Sequence, residues 1–366
     1  MDNTIIKKYD IKGIVGKDLQ IRDGYEIGRK FGQIINNVCV GYDNRITSPK
    51  IEKELIKGLT LSGANVTRIG LCSLPMLYIA TQIVNADLGI MITALHNPNE
   101  YNGFNFFFNC KKTYSNQKIK EIINTPIKIG TKIGNTININ IYSEYINVLK
   151  SALKNNSTRK LKIAWDSKNS SVNGIMRYLE KILPDHIHIV INNNSIDRTF
   201  PCNEPNSIKE KNLTQLINII KKNKCDFGIA FNGDGNKICL IDNKGNIISN
   251  DHLFMIFVRE ILEEYPGCKI IANIKMNIKV YNFVKKLGGK IITSSTEDSL
   301  IMKKIIEENA KFAGEPNGHF FFLELGFDDG LYSAIKFVDI LLKKNLSLSE
   351  IIKDLPKLST AANYKV

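Results

Sequence analysis

The feature that most constrains this chain is an end-to-end alternation of short apolar runs with longer amphipathic stretches. The short runs are rich in β-branched residues and predict buried strands. They occupy residues 37–41, 65–70, 161–164, 187–191, 227–231, 269–274 and 290–293. The amphipathic stretches, whose apolar residues recur with helical spacing, occupy residues 51–62, 173–182, 213–222, 252–264, 280–287, 300–310 and 331–343. Alternating strands and helices predict α/β layers.

This alternation recurs about three times along the 366 residues, a length that is typical of two or three domains. Polar, turn-rich passages at residues 133–140 and 242–250 are the candidate boundaries between domains. We therefore expect three consecutive α/β domains, which cover residues 1–142, 143–245 and 246–366.

The formal net charge of the chain is +14. Its lysines are spread along predicted helices, and the sequence contains no basic block with interleaved aromatic residues of the kind that binds nucleic acid. The chain is also rich in Ile, Asn and Lys, whose codons are A/T-rich. One interpretation is therefore a biased genome that places lysine on solvated faces, and the other is a functional basic surface. We expect no nucleic-acid partner.

Two further features of the sequence bear on the cellular compartment in which the protein is found. No apolar run reaches the roughly 20 residues that a membrane span needs, and the polar first ten residues lack the apolar stretch of a secretory signal. The seven cysteines show no CxxC or other metal-type spacing, and such an odd, unpatterned set is typical of reduced thiols. We expect no membrane contact and a cytoplasmic location.

Two polar loops lie in the first third of the chain. The first, residues 9–16, contains Lys12 and is either a phosphate contact or a surface turn. The second, residues 93–105, follows an apolar run and reads TALHNPNEYNGFN, in which the Asn-Pro and Asn-Gly pairs favour tight turns. It is either a surface loop that is merely rich in turn-forming residues or a loop that carries functional residues. A residue that takes part in catalysis or binding at the tip of such a loop is normally polar, whereas Leu95 is apolar.

A third loop, residues 231–237, places side-chain oxygens at alternate positions with glycine between them. Such a pattern can fold around a hard cation such as Mg²⁺. Only Asp234 is a carboxylate, because Asn232 and Asn236 are neutral amides, and the missing charges predict a much lower affinity for Mg²⁺. The alternative interpretation is a hairpin turn between two strands.

The fourth loop, residues 314–319, contains Glu315 and His319, a carboxylate and an imidazole that suit sugar hydroxyls. The alternative is a turn from a helix to a strand. Shortly after it, residues 326–330 include two aspartates that can cap the predicted helix at residues 331–343.

In order and spacing, these loops resemble the motifs of the α-D-phosphohexomutases, which interconvert the 1- and 6-phosphates of hexoses. The similarity runs along nearly the whole chain. The matching segments are residues 9–13 (YDIRG in the family), 93–105 (TASHNPxxYNGxK), 199–206 (FPxHxPNP), 232–237 (DGDGDR), 314–319 (GEMSGH) and 326–330 (GxDDG).

The resemblance implies three α/β domains, each a mixed sheet sandwiched by helices, and a smaller fourth domain around a common cleft. It implies a phosphoserine that gives its phosphoryl group to a hexose phosphate, and Mg²⁺ held by three aspartates. The fourth domain of the family clamps the substrate phosphate with an RxSGTE-type loop. Because no RxSGT-like segment occurs in this sequence, we expect the fourth domain to be absent.

The resemblance also assigns roles to individual positions. The phosphoserine position falls on Leu95, which carries no nucleophile. The other catalytic positions are Lys12, His96 and Lys275. The metal positions fall on Asn232, Asp234 and Asn236, so that a Mg²⁺ cofactor is expected from the family but in doubt from the residues. The substrate-binding positions are Lys237, Asp298, Glu315, Asn317 and His319.

We therefore expect a phosphomannomutase- or phosphoglucomutase-like protein by ancestry, with hexose phosphate as its ligand, that is catalytically inactive or a decayed remnant. Relative to the family's motifs, the changes from Ser to Leu, Asp to Asn, Arg to Lys and Ser to Asn can each arise by a single G/C to A/T change, as drift in an A/T-rich genome would produce. One alternative is a non-catalytic sugar-phosphate-binding or scaffold protein. The other is a weakly active mutase that needs a separately encoded fourth domain.

Overall fold

The computed structural model describes residues 5–6, 10–95, 97–108, 116–127, 132–155, 157–168, 170–191, 212–295 and 298–358. Within these residues, three β-sheets follow one another along the chain. Each sheet mixes parallel and antiparallel pairs, and helices pack on the sheets, so the predicted fold class is confirmed. None of the described helices is both long and apolar enough to cross a membrane.

The first sheet has six strands in the order β1-β5-β4-β2-β3-β6. Strand β5 runs antiparallel to both of its neighbours, and the remaining pairs are parallel. The strands are β1 (Asp10–Ile14), β2 (Asn37–Tyr42), β3 (Asn65–Leu71), β4 (Leu88–Ile92), β5 (Tyr101–Phe108) and β6 (Thr136–Asn138). The helices in this part are α1 (Asp23–Gly32), α2 (Ser48–Leu61), α3 (Leu74–Ile83) and α4 (Asn116–Asn124).

Two of the predicted loops are largely strand. Asp10–Ile14 forms β1, and the second half of the predicted loop 93–105 forms the start of β5. Lys12 and Gly103 lie opposite each other in this antiparallel pair. The turn-forming residues misled the prediction, because pairing between distant segments overrides local turn preference. The loop itself is confined to residues 93–100.

The second sheet has four strands in the order β10-β9-β7-β8, with an antiparallel hairpin formed by β9 and β10. The strands are β7 (Lys162–Asp166), β8 (Ile187–Ile191), β9 (Phe227–Phe231) and β10 (Ile238–Asp242). The helices are α5 (Tyr142–Ser151), α6 (Asn173–Met176), α7 (Leu179–Ile182) and α8 (Thr214–Asn223). The single helix predicted over residues 173–182 is wrong. The amide of Tyr178 bonds to the carbonyl of Ile175, three residues back, which breaks the α-helical register.

The third sheet also has four strands, in the order β12-β11-β13-β14. The strands are β11 (Lys269–Asn273), β12 (Lys290–Ser294), β13 (Phe312–Gly314) and β14 (Phe320–Phe322). The helices are α9 (Asn250–Glu264), α10 (Ile278–Lys286), α11 (Asp298–Glu307), α12 (Gly330–Lys344) and α13 (Leu348–Lys353). The loop at residues 314–319 joins the antiparallel strands β13 and β14. It is therefore a hairpin connection, and the alternative of a helix-to-strand turn is wrong.

One buried apolar cluster runs through all three parts of the molecule. It includes Tyr78 of α3, Trp165 of β7 and Phe257 of α9, each no more than 5% exposed. Tyr78 also packs edge-on against Phe327, with ring centroids 5.0 Å apart. Because this core is continuous, the loops of the three sheets are held in fixed positions relative to one another.

Candidate functional site

The loop after β4 is shaped by the guanidinium group of Arg45, which is 2% exposed. Arg45 donates to three backbone carbonyls of that loop and to the carbonyl of the first residue of β5. They belong to Leu95 (2.9 Å), Asn97 (2.7 Å), Pro98 (2.7 Å) and Tyr101 (3.0 Å). The planar fork of arginine suits several acceptors at once, which a lysine cannot reproduce. Arg45 therefore fixes the path of the loop through its main chain.

Arg45 is itself held by Asp43, which lies just after β2 and is 4% exposed. The Nε atom of Arg45 lies 3.0 Å from Oδ2 of Asp43, while Oδ1 accepts from the hydroxyl of Ser48 at 2.6 Å. Neither Asp43 nor Arg45 was predicted from the sequence. The available signal was their place after a buried strand, at the strand end where α/β proteins build their sites.

Leu95 lies in this loop with φ at +54°, a left-handed conformation that is unusual for a residue other than glycine. The conformation is held by the main chain, because the Leu95 amide donates to the Thr93 hydroxyl at 2.9 Å and its carbonyl accepts from Arg45. The side chain packs, partly buried, against the large apolar cluster. The loop thus keeps an organised backbone around a side chain that has no reactive atom. His96 lies outside the described residues.

The loop between β9 and β10, residues 232–237, is closed by its own amides. Nδ2 of Asn232 donates to Oδ1 of Asn236 at 2.8 Å. Oδ1 of Asn232 accepts from the backbone amides of Asn236 at 3.1 Å and Lys237 at 3.0 Å. Both neutral positions of the predicted metal set therefore use their oxygens inside the loop.

Asp234 lies at the tip of the same loop and is 3% exposed. Its Oδ1 accepts from the hydroxyl of Thr93 at 3.1 Å, which joins this loop to the loop of Leu95. Burial and the nearby charge of Asp43 raise the pKa of Asp234 to about 6, against the opposing charges of Arg45, Lys12 and Lys237.

The donor set of this loop does not fit Mg²⁺. Mg²⁺ demands near-ideal octahedral oxygen geometry and is held in proteins mainly by carboxylates. Here the side-chain oxygens of Asn232 and Asn236 are engaged as hydrogen-bond acceptors inside the loop. Asp234 is the only carboxylate of the loop, and one of its oxygens accepts from Thr93. Among the residues that the structure describes, no cluster of three or more His, Cys, Asp or Glu side chains could hold a metal ion.

Two lysines are close enough to Asp234 to lower its pKa through their charge. Lys12 lies on β1, and its Nζ is 2.6 Å from Oδ2 of Asp10. Lys237 ends the loop and forms an isolated antiparallel bridge with His319 through the main chain. The structure thereby brings Lys12, Asp234 and Lys237 near the loop of Leu95.

The predicted sugar-binding loop lies between β13 and β14. The carboxylate of Glu315 is 1% exposed and accepts from Nδ2 of Asn273 at 2.5 Å. Oδ1 of Asn273 in turn accepts from the amide of Lys275 at 2.9 Å. Asn273 therefore couples Lys275, which is exposed, to Glu315. Asn317 is exposed near the tip of the loop.

His319 is buried in the same hairpin, and its Nδ1 atom pairs with Oδ2 of Asp328. Asp329, which is completely buried, caps α12 by accepting from the amide of Tyr332 at 3.0 Å, as the sequence predicts for this motif. Asp328 instead pairs with the imidazole of His319. Asp298 begins α11, and its side chain lies outside the described part of the chain.

A buried polar connection links α5 to the start of α12. The hydroxyl of Tyr145, on α5, donates to the carboxylate of Asp329 at 3.1–3.2 Å. Burial raises the pKa of Asp329 to about 7, although hydrogen bonds from Tyr332 and Tyr145 oppose that shift. Tyr145 and Asn273 carried no recognisable sequence signal, because their partners are far away along the chain.

Sequence comparison places this arrangement among known proteins. Three family descriptions match the chain in order. "Phosphoglucomutase/phosphomannomutase, alpha/beta/alpha domain I" matches residues 3–130, the corresponding domain II matches residues 142–245, and domain III matches residues 249–358.

Individual proteins agree with these matches. A phosphomannomutase/phosphoglucomutase of Pseudomonas syringae is 33% identical over 97% of this chain and 77% of its own length. A phosphoglucomutase of Neisseria meningitidis is 34% identical over 96% of this chain and 78% of its own length. The crystal structure of a phosphoglucomutase/phosphomannomutase family protein from Burkholderia thailandensis superposes with a TM-score of 0.89 at 30% identity, covering 98% of this chain and 80% of that one.

Proposed function

Because the chain belongs to the phosphoglucomutase/phosphomannomutase family, we propose that it binds hexose phosphates without passing a phosphoryl group through a covalent intermediate. The substrate class comes from the relatives, which are mutases of mannose and glucose phosphates by name. The loss of transfer is inferred from the residues of this chain. A cytoplasmic location remains part of the proposal, supported by five described cysteines that are all free thiols.

The observation that carries the proposal is Leu95. Covalent phosphoryl transfer needs an oxygen, nitrogen or sulfur atom that can attack and later leave. The loop holds Leu95 in a defined left-handed conformation, so the position that would present such an atom presents a hydrocarbon instead. Loss of a covalent nucleophile commonly lowers the rate by several orders of magnitude.

The loop of Asp234 supports the same conclusion. Phosphoryl transfer relies on positive charge fixed close to the moving group. The positive side chains here are Arg45, Lys12 and Lys237. Arg45 is already paired with Asp43, and Lys12 is already paired with Asp10. We infer that the remaining charge can attract a phosphate but stabilises the transfer poorly.

Binding is supported by the hairpin between β13 and β14. Glu315 is oriented by Asn273, and His319 is oriented by Asp328, so both groups are held in place before any ligand arrives. Lys275 is exposed, and its backbone amide bonds to the same Asn273 that orients Glu315. Preorganised polar groups lose little freedom on binding, which favours affinity. The proposal assigns sugar hydroxyls to Glu315 and His319 and a phosphate to Lys275.

Calorimetry with glucose 6-phosphate and mannose 6-phosphate tests the binding, and a coupled assay with glucose 1-phosphate and the 1,6-bisphosphate tests turnover. We expect binding of at least one sugar phosphate and no turnover above background. Lys275→Ala should weaken binding at least ~10-fold, which corresponds to about 1.4 kcal/mol. Lys53→Ala, a lysine exposed on α2, is the matched control and should leave binding unchanged.

Two other outcomes would identify the alternatives. Turnover that disappears in His319→Ala, or that requires a separately produced fourth domain, would mean a weakly active mutase. Absence of both binding and turnover would leave the decayed remnant as the better description, and the binding proposal would be wrong.

A further inference from the structure

The loop of residues 232–237 is bonded to all three parts of the molecule. The carbonyl of Asp234 accepts from the amide of Leu74, at the start of α3, at 3.1 Å. The carbonyl of Gly235 accepts from the amide of Gly330, at the start of α12, at 3.0 Å. Directly after the loop, the amide of Ile238 donates to the carbonyl of Gly318 at 3.3 Å. One short loop therefore connects elements from all three parts of the molecule.

The surroundings of this loop are tightly packed. Gly235 has φ at +78°, and a Cβ atom added to Gly330 would lie 2.8 Å from the carbonyl oxygen of Gly235. The side chain of Asp234 is also bonded to Thr93. These contacts can all form together only while the turn of the loop stays closed.

Inside the loop, closure depends on the amides. Asn232 donates an N–H to the oxygen of Asn236, and two backbone amides donate to the oxygen of Asn232. A carboxylate at each of these positions would bring two negative oxygens together without a proton between them. Such a pair is repulsive unless a cation neutralises it.

We propose that the loop Asn232–Lys237 is a metal-independent structural tie between the three sheets, closed by the Asn232–Asn236 amide pair. The pair does by hydrogen bonding what a cation would do for carboxylates. Folding and domain placement then need no Mg²⁺. This structural role does not depend on turnover, so an experiment can contradict it without contradicting the proposed function, and the reverse.

The first test uses the whole unmodified chain. Thermal unfolding is measured in EDTA and in millimolar Mg²⁺, and Mg²⁺ binding is measured by calorimetry. We expect no binding heat and the same Tm in both conditions. A saturable binding heat together with a Tm that rises in Mg²⁺ would overturn the proposal.

The second test converts the amide pair into carboxylates with Asn232→Asp and Asn236→Asp together. We expect this variant to melt at least ~2 °C below the parent in EDTA. Millimolar Mg²⁺ should recover a large part of that loss. The control is Asn124→Asp with Asn135→Asp, two exposed positions that add the same charge. Equal Tm values for the two double variants in EDTA would show that the amide pair does not stabilise the closed loop, and would also overturn the proposal.

Discussion

Asp329 shows at the residue scale how a structural group can set a pH response. Its carboxylate is buried, caps α12 and accepts from Tyr145 of another part of the molecule. Burial raises its pKa from an ordinary value near 3.8 to about 7. The folded protein therefore holds a proton on Asp329 at pH values where the unfolded chain has already released it.

The sign of the resulting pH dependence follows from proton counting. Between roughly pH 4 and 7 the folded state binds more protons at this group than the unfolded state, so stability falls as pH rises. The slope is at most about 1.4 kcal/mol per pH unit for one group. Asp329→Asn keeps an oxygen for both hydrogen bonds but does not titrate. We expect its free energy of unfolding to decline less than that of the parent between pH 5 and 7.

Urea unfolding at both pH values, followed by circular dichroism, measures this difference. Asp354→Asn, an exposed position after α13, is the matched control and should keep the slope of the parent. The same slope in Asp329→Asn and the parent would show that Asp329 does not carry the pH dependence.

Individual residues differ in whether their contacts can be predicted from the sequence. The cap at Asp329 was predictable because a cap and its helix are neighbours in sequence. The role of Arg45 was not, because its acceptors are backbone carbonyls that lie 50 to 56 residues away. Backbone carbonyls exist at every residue, so no sequence pattern distinguishes the ones that Arg45 will reach.

At the scale of elements, the contact between two hairpins organises the site. The hairpin of β9 and β10 meets the loop between β13 and β14 at the bridge of Lys237 with His319. Gly318 makes this approach feasible, because a Cβ atom there would lie 2.6 Å from the carbonyl oxygen of Ile238. Real Cβ atoms do not come so close to a backbone oxygen.

Gly318→Ala should therefore separate the two hairpins. Gly16→Ala is a matched control, since Gly16 has a similar positive φ of +89° but no atom within 4 Å of an added Cβ, whereas Gly318 has +95° and a blocked position. The shared strain of a left-handed alanine costs about 1–2 kcal/mol. We expect Gly318→Ala to lose ~1–3 kcal/mol more than the control in urea unfolding, because of overpacking. Equal losses would contradict the close contact of the hairpins.

The elements themselves were largely predictable, and the exceptions have physical causes. The periodic helices α2, α8, α9, α10 and α12 lie within a few residues of their predicted positions. Strands β1 and β5 were hidden among turn-forming residues, since their pairing partners lie about 90 residues apart in sequence. The two halves of the predicted helix at residues 173–182 separate where the amides of Tyr178 and Lys181 bond to carbonyls three residues back. Apolar periodicity does not reveal such a local change of hydrogen bonding.

At the scale of the whole molecule, the chain keeps the three α/β domains of its family in order. Its core is continuous across three sheets, and the loops of Leu95, Asp234 and His319 remain joined by hydrogen bonds and a bridge. The order of the motifs predicted this architecture correctly. The domain boundaries after residues 142 and 245, and the roles of the individual site residues, stay predictions.

The central claim, that this scaffold forms no covalent phosphoryl intermediate, is tested most directly by intact mass spectrometry after incubation with glucose 1,6-bisphosphate. The sample is kept at neutral pH, because a phosphohistidine at His96 would hydrolyse in acid. An active mutase of the family, treated in parallel, is the positive control. We predict that the mass of this chain stays unchanged while the control gains one phosphoryl group. A stoichiometric phosphoryl group on this chain, removed again by glucose 6-phosphate, would contradict the claim.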